Sequence, residues 1–275
     1  MDYFLIWLSV SYSVILYSPL IAAQQFEYRS HICTNDSTYT ANSSYPSNLN
    51  ATLSSLYENA SRSDDFGSIS VGQNSDRVSA LFLCRGDNSS ESCRGCIKTA
   101  REEIKILCSN YKEAIIWYDR CMLRYSNRSI FSFKDEWPRA WLGNKNDIGN
   151  DIDQNQFNSN LGGLMFQLIS RAASSSNLFA MGDRNGIFGT VQCTPDIPPS
   201  DCRICLSGRV SEIPSCCSGK VGGNVLTPSC SIRFETYPFY TAPPAPPPPA
   251  SSPSPTTPPP TSLNPSGMDF IHYHF

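Results

Sequence analysis

The sequence predicts an α+β protein built from two tandem copies of a small disulfide-stapled domain, each with two helices packed on an antiparallel β-sheet. Three observations lead to this fold class. The cysteines repeat at a fixed offset, apolar residues recur first at helical and then at strand spacing, and the composition changes sharply at both ends of the 275-residue chain.

Five cysteines in each half of the chain define the internal repeat. Their positions differ by 109 residues, and they pair as Cys84 with Cys193, Cys93 with Cys202, Cys96 with Cys205, Cys108 with Cys217 and Cys121 with Cys230. Arg124 and Arg233 keep the same offset. Because one fixed period indicates two copies of one unit, we predict domains at 27–130 and 156–240, joined by an inter-domain connection at 131–155.

Helical periodicity opens each copy. The apolar residues that share one face of the first helix are Leu49, Leu53 and Leu56 in copy one and Leu161, Met165 and Leu168 in copy two. The second helix follows the Cys-x2-Cys pair and carries Ile97, Ala100, Ile104 and Leu107 on one face. Two amphipathic helices per copy are therefore expected.

Strand periodicity closes each copy. The residues expected on one side of a hairpin are Ile115, Trp117, Cys121, Leu123 and Tyr125 in copy one, and Val225, Ile232 and Phe234 in copy two. We expect turns at 112–114 and 220–224 to enter these strands, with the glycine pair Gly222 and Gly223 supplying positive φ.

The two ends of the chain differ from its middle. Residues 1–23 form an apolar stretch that ends in small residues, which is typical of a signal peptide, and an uncleaved anchor is the alternative. At the other end, 242–265 holds 12 of the 21 prolines, so we expect 241–275 to be a Pro-rich disordered tail with an extended, polyproline-type spacer. The mature chain is expected to have no transmembrane span.

Cysteine and sequon usage predict an extracellular location. All 12 cysteines follow residue 30. Six Asn-x-Ser/Thr sequons predict N-glycosylation at Asn35, Asn42, Asn50, Asn59, Asn88 and Asn127. We predict a protein secreted to the extracellular space or apoplast, the alternative being the plasma membrane surface through a receptor partner. A net charge of -3 disfavours nucleic acid as a partner.

The repeated C-x8-C-x2-C core, Cys84/Cys93/Cys96 and Cys193/Cys202/Cys205, resembles the plant cysteine-rich ginkbilobin-homologous domain in tandem. The resemblance covers about residues 27–240. It extends to cysteine-rich repeat secretory proteins and to the ectodomains of cysteine-rich receptor-like kinases, in which a Pro-rich stretch leads to a membrane span and a kinase. It implies a secreted homologue or a truncated receptor-like kinase product.

The resemblance also implies a disulfide pattern. By position in the family it pairs Cys33 with Cys108, Cys84 with Cys93, Cys96 with Cys121, Cys193 with Cys202, and Cys205 with Cys230. Copy two departs from the pattern, because it lacks a counterpart of Cys33 and has an additional Cys216 beside Cys217. Our hypothesis is a vicinal disulfide between these two, with free thiols or an intermolecular bridge as alternatives.

The Cys-x2-Cys pairs could in principle bind zinc or act as redox motifs instead of forming structural disulfides. A closed tetrahedral zinc site needs four ligands, and histidine is scarce, so structural disulfides are favoured over a metal site. A thioredoxin-like motif lacks the preceding βαβ pattern. No cofactor or metal is expected, and an apoplastic redox sensor at Cys216 and Cys217 stays open.

Some relatives with a single domain bind mannose, and the resemblance allows a test of that site by position. The equivalent residues are Thr34, Ile115 and Ser126 in copy one and Asn224 and Glu235 in copy two. Of these residues, only Glu235 is of the type that the mannose-binding relatives have at the same position. Glu235 and Asn224 are therefore the candidate ligand-binding residues, the alternative for Glu235 being a solvated carboxylate at a strand end.

No catalytic residues are predicted. His31 is the one histidine outside the last four residues and is interpreted as a bystander. Trp117, Trp137 and Trp141 could form a ligand platform, although aromatic residues at strand spacing usually belong to the core. The stretch 135–138, with Trp141, falls between the copies, where we expect it to pack the two domains together.

These observations predict a non-enzymatic plant extracellular recognition protein that acts in defence or stress signalling. Its partner would be a cell-wall carbohydrate, a peptide or a membrane receptor. The alternatives are a truncated receptor-like kinase ectodomain and a directly antifungal effector of the mannose-binding type.

Overall fold

The computed structural model describes residues 26–34, 37–60, 65–150 and 152–240. The predicted signal peptide and Pro-rich tail lie outside these residues. The elements of the first domain are β1 (Tyr28–Cys33), α1 (Tyr45–Asn59), β2 (Phe66–Val71), β3 (Val78–Cys84), α2 (Ser90–Leu107), β4 (Ala114–Tyr118) and β5 (Cys121–Ser126). Its five strands form one antiparallel sheet in the order β1-β4-β5-β3-β2.

The second domain repeats this plan. Its elements are β6 (Ala140–Gly143), α3 (Gln154–Ala172), β7 (Phe179–Arg184), β8 (Ile187–Cys193), α4 (Pro199–Val210), α5 (Ile213–Cys217), β9 (Gly222–Leu226) and β10 (Cys230–Glu235). The strand order β6-β9-β10-β8-β7 matches that of the first sheet position by position. The predicted α+β fold class is confirmed.

The stretch 131–155 was predicted as a connection, yet it contributes β6 to the second sheet. By strand order, β6 is the counterpart of β1. It is only four residues long and alternates half-buried and exposed side chains. So short a run carries too little periodicity to be recognised as a strand from sequence.

The predicted helices form the outer layers of the molecule. Leu49, Leu53 and Leu56 of α1 are buried against the first sheet, and the equivalent residues of α3 are buried against the second. Two N-caps fix where helices begin: Ser89 Oγ accepts from the Ser92 amide, and Asp153 Oδ1 accepts from the amides of residues 155 and 156.

The faces of the first hairpin differ from the prediction. Ile115 and Trp117 were expected on the same side as Leu123, but they lie on the opposite face. The reason is the register, in which Ile116 pairs with Leu123 and therefore shares its face. The tight turn between β4 and β5 shifts the alternation by one residue.

The turn predicted at 220–224 is also different. Gly222 and Gly223 lie inside β9, whereas the glycine with positive φ is Gly219, at 72°. Gly222 and Gly223 are needed because neither position has room for a side chain. A Cβ on Gly223 would lie 2.5 Å from Cys217 Sγ, and one on Gly222 would overlap the Glu235 carboxylate.

A third apolar cluster lies between the two sheets. It consists of Leu81, Leu83, Ile115, Trp117, Met122, Ile130 and Leu226. Six of these belong to the first domain, and Leu226 belongs to β9. Packing through this cluster gives a four-layer arrangement with helices outside and the two sheets face to face.

The structure pairs all twelve cysteines, which all lie in its described part, in six disulfides. They are Cys33–Cys108, Cys84–Cys93, Cys96–Cys121, Cys193–Cys202, Cys205–Cys230 and Cys216–Cys217. The first joins residues 75 apart and ties β1 to the end of α2. The last joins neighbours in α5.

Candidate functional site

The candidate site centres on Glu235, the last residue of β10. Its side chain is 6% exposed, and Oε1 accepts from Arg233 Nε and Nη2 at 3.0 and 2.9 Å. Oε2 accepts from Asn144 Nδ2 at 3.2 Å. The alternative of a solvated strand-end carboxylate is therefore wrong, because two side chains enclose this group.

The local sequence explains this arrangement. Residues two apart on a strand share a face, so Arg233 and Glu235 lie side by side. The Arg233 guanidinium is also held over the ring of Phe239, at 4.1 Å from its centroid. Gly222 faces Glu235 across the β9–β10 pair and leaves room for the carboxylate.

Asn224 and Glu235 line the same cavity, of about 280 Å³. One wall comes from the start of β1 and the residue before it, at Glu27, Tyr28 and Arg29, and the other from the end of β6, β9 and the end of β10. The cavity therefore lies at the junction of the two domains. We call it the junction cleft.

A smaller cavity of about 60 Å³ adjoins the junction cleft, sharing Asn224. It lies between the sheets and is lined by Trp117, Thr190, Gln192 and Arg233 among others. It has room for a few water molecules or one small polar group. We call it the inner cavity.

Two buried donors at these cavities have no acceptor within the described part of the chain. They are the Nε of Arg29 and the Nε1 of Trp117. Trp117 is only 3% exposed. A buried N–H without an acceptor is unfavourable, so an acceptor atom that reached either group would stabilise the protein.

The equivalent positions of copy one do not form such a site. Thr34 donates to the Glu113 carbonyl at 3.2 Å, and Ile115 is buried between the sheets. Ser126 is fully buried and accepts from the Arg128 amide. The mannose-type positions of copy one thus form no such site, whereas Asn224 and Glu235 of copy two line one cavity.

The remaining candidates lie elsewhere. The Nδ1 of His31 is hydrogen-bonded to the Tyr28 hydroxyl. His31 also neighbours Cys33 and Cys108, but their sulfurs are tied up in a disulfide and offer no thiolate to a metal. Trp117 belongs to the inter-sheet cluster.

Trp137 and Trp141 were expected to pack the domains together, but they are 63% and 51% exposed. Trp141 Nε1 donates to Glu212, and Arg139 stacks on Trp137. Within the stretch 135–138 the domain contact is made by Asp135 instead. Its carboxylate binds Arg124 at 2.7 Å, and its amide donates to Ser229 Oγ at 2.8 Å.

The sequons differ in accessibility. Asn42 and Asn50 are exposed, while Asn59 and Asn127 are half-buried. Asn88 is engaged, since its amide donates to the Arg120 carbonyl at 2.7 Å and accepts from Arg120 Nη1 at 3.2 Å. Asn35 lies outside the described residues. N-glycosylation at these positions stays a prediction.

Two equivalent disulfide-stapled domains with a polar cleft at their junction define a tandem-domain architecture. The model of the salt stress response/antifungal family matches the chain twice, over residues 32–128 and 143–237. The chain belongs to this family. The resemblance to cysteine-rich repeat secretory proteins and receptor-like kinase ectodomains, inferred from the cysteine spacing, is confirmed.

Several curated relatives match most of this chain. Cysteine-rich repeat secretory protein 38 of Arabidopsis thaliana is 38% identical over 231 residues, which are 82% of this chain and 90% of the relative. An antimicrobial ginkbilobin-2-like protein of Castanea crenata is 37% identical over 241 residues, 86% and 98% of the two chains. Cysteine-rich receptor-like protein kinase 25 of Arabidopsis thaliana is 43% identical over 232 residues, 80% of this chain.

The chain spans about a third of the length of several receptor-like kinases that it matches, 34% in kinase 25. Among solved structures, the tandem DUF26 ectodomain of the Arabidopsis thaliana cysteine-rich receptor-like protein PDLP8 superposes with a TM-score of 0.67 at 26% identity, covering 77% of this chain and 98% of that one. These secretory and ectodomain relatives confirm the predicted extracellular location.

None of the helices in the described part of the chain has both the length and the apolar character that a bilayer crossing requires.

Proposed function

We propose that this protein is a non-enzymatic extracellular recognition protein that binds a cell-wall carbohydrate in the junction cleft, in defence or stress signalling. One observation carries the proposal: the two candidate ligand residues, Asn224 and Glu235, line one cavity between the domains. The family description, salt stress response and antifungal, supports the biological setting.

The groups around the cleft match the chemistry of a sugar. Hydroxyl groups both donate and accept, and the cleft offers the Glu235 carboxylate as an acceptor and the amides of Asn144 and Asn224 for both roles. Tyr28 and Tyr237 line the cleft and are 44% and 46% exposed, so they present apolar ring surface to a sugar ring. A few polar groups within an aromatic-walled pocket are typical of a small-ligand site.

Binding of carbohydrates by the secreted, glycosylated protein tests the proposal. A glycan array identifies candidate ligands, and titration calorimetry then compares wild type with Asn224→Ala and Glu235→Gln. We expect each variant to weaken binding about tenfold, since a hydrogen bond to a charged or buried polar group is worth ~1.5 kcal/mol or more.

The matched control is Glu58→Gln, which removes a carboxylate from an exposed position in α1. It should bind like wild type, and melting curves should show that all variants are folded. Absence of saturable glycan binding, or equal binding by Glu235→Gln and wild type, would contradict the proposal. Capture of a peptide or receptor through the cleft would favour the other partner classes.

A second candidate function is direct antifungal activity. It is favoured by the similarity to the antimicrobial ginkbilobin-2-like protein of Castanea crenata. Purified protein should then inhibit fungal growth, and the Glu235→Gln variant should be less active. Growth that is unaffected by wild-type protein at any soluble concentration would exclude this candidate.

A further inference from the structure

From the charges around the junction cleft, we infer that its ligand is an acidic saccharide, a sugar chain carrying uronate carboxylates, and not a neutral one. This inference rests on the proposed function and specifies the ligand class of the same site.

The junction cleft alone is lined by two cationic side chains and two carboxylates, and the inner cavity that adjoins it adds an excess of cations. The junction cleft and the inner cavity together are lined by five cationic side chains, Arg29, Arg85, Arg120, Lys145 and Arg233. They are lined by three carboxylates, Glu27, Asp119 and Glu235. The whole chain carries a net charge of -3, so this local excess is opposite in sign to the protein as a whole.

Three of the five cations have firm partners. Arg85 is held by Asp87, Arg120 by Asp119 and Arg233 by Glu235. The other two, Lys145 and Arg29, lie at the mouth of the junction cleft and have no such partner. Lys145 is exposed and has no ion pair within the described residues, and Arg29 has only Glu27, whose side chain is 65% exposed. An exposed partner gives little stabilisation, so the available positive charge lies at the mouth.

Arg29 is the better-defined of these two sites. Its side chain is 13% exposed, and its Nε has no acceptor among the described residues. Burial lowers the pKa of Arg29, and the neighbouring positive charge of Arg233 lowers it further, against the individually weaker raising effects of Glu27, Asp119 and Glu235. A carboxylate placed at the mouth would accept from Arg29 and relieve this repulsion, with the strength of a charge-assisted hydrogen bond.

The inner cavity adds a donor of the same kind. The Trp117 indole N–H lacks an acceptor and has no capacity to accept a hydrogen bond itself. Oxygen atoms of a carboxylate or a hydroxyl group would satisfy it. The unsatisfied groups named here are therefore all donors, as expected of a site for a ligand rich in acceptors.

A third cavity between the domains differs in its lining. It has a volume of about 380 Å³ and is lined by Asp65, Phe66, Leu83, Ser176, Asn177, Gln192 and Pro195. Its lining contains a carboxylate and no cation. The cationic side chains thus line the junction cleft and the inner cavity and are absent from the lining of this third cavity.

The aromatic walls favour a saccharide over other anions. Tyr28 and Tyr237 are exposed at the same mouth as Arg29 and Lys145. Free phosphate or an isolated carboxylate would use only the cations. A uronate sugar would use the cations through its carboxylate and the aromatic faces through its ring.

Titration calorimetry on the full secreted protein tests the inference. The probes are a short oligogalacturonate, the same oligomer fully methyl-esterified, a neutral galactose oligomer and a short glutamate peptide. We expect the oligogalacturonate to bind about tenfold or more tightly than its methyl ester, with affinity that falls as salt is added. Arg29→Gln should reduce its affinity about tenfold, and Lys145→Gln should reduce it severalfold.

Lys98→Gln, which makes the same charge change at an exposed position in α2, is the control and should bind like wild type. Lys145 is exposed, so its variant stays informative if Arg29→Gln proves unstable. Equal binding of the acid, its ester and the neutral oligomer would overturn the inference and leave the proposed function standing. Failure of all three saccharides would overturn the inference, and it would overturn the proposed function as well only if the glycan array also showed no binding. Binding of the peptide alone would show that the acidic ligand is not a sugar.

Discussion

The two domains hold the same arginine in opposite ways. Arg124 on β5 and Arg233 on β10 occupy equivalent positions, but the carboxylates that bind them come from non-equivalent positions. In the first domain Glu113, just before β4, binds Arg124 at 2.8 Å, and a serine ends β5. In the second, Gly222 replaces that glutamate and Glu235 replaces that serine.

This exchange changes what surrounds the arginine. Arg124 is closed in by Glu113 and by Asp135 from the inter-domain segment, and its side chain is 2% exposed. Arg233 and Glu235 instead line the inner cavity and the junction cleft, respectively. One copy uses the pair to fix the domains together, and the other uses it to shape a candidate binding site.

Cys33–Cys108 provides the largest expected difference between the domains, since the second domain has no equivalent bridge. Replacing both cysteines by serine should lower the free energy of unfolding by about 4 kcal/mol, because the bridge closes a loop of 75 residues. Guanidinium unfolding measures this loss. Unchanged stability would show that β1 is held by its strand pairing alone.

Arg124→Met and Arg233→Met compare the two arginines directly. Removing Arg124 leaves two buried carboxylates facing each other and should destabilise the protein by about 3 kcal/mol. Removing Arg233 leaves Glu235 with its bond from Asn144 and an adjoining cleft, so the loss should be smaller. Urea unfolding of both variants measures the difference, and equal losses would contradict the division of roles.

Adding a disulfide to the second domain at Gly143 is the opposite of removing Cys33–Cys108 from the first. It pairs with Gly223 as Cys33 pairs with Ala114, and the neighbouring Leu142 carbonyl lies 3.8 Å from Cys217 Sγ. Gly143→Cys combined with Cys216→Ser should therefore form a bridge to Cys217 and raise stability by about 2 kcal/mol. Peptide mass mapping without reduction identifies the bridge, and Cys216→Ser alone is the control.

Much of the fold could be predicted from the sequence, because the information is local and repeated. The fixed cysteine offset gave the two domains, and leucines at helical spacing gave α1 and α3. The face of Ile115 could not be predicted, since it depends on the β4–β5 register. The exposed position of Trp141 could not be predicted either, since its side chain donates to Glu212, 71 residues away.

The candidate site was predicted only in part. Family position indicated Asn224 and Glu235, but not that they line one cleft. Arg29 and Lys145 lie more than 100 positions apart in the chain and meet only because β1 and the end of β6 face the same space. Neither residue has a motif around it, so a single sequence contains no signal that would have found them.

The smallest expected effect is a dependence of stability on pH that arises in the first domain. Burial raises the pKa of Glu113, but hydrogen bonds from Arg128 and Arg124 outweigh burial and hold the pKa below its usual value. A carboxyl group with a lowered pKa in the folded state adds stability above its unfolded pKa, about 4.3, and this contribution is lost as pH falls through the folded pKa. Glu113→Gln should therefore lower stability at neutral pH and flatten the decline below about pH 4. Urea midpoints across the acid range measure this, with Glu58→Gln as the exposed control, and a decline as steep in Glu113→Gln as in wild type would assign the acid sensitivity to other carboxylates.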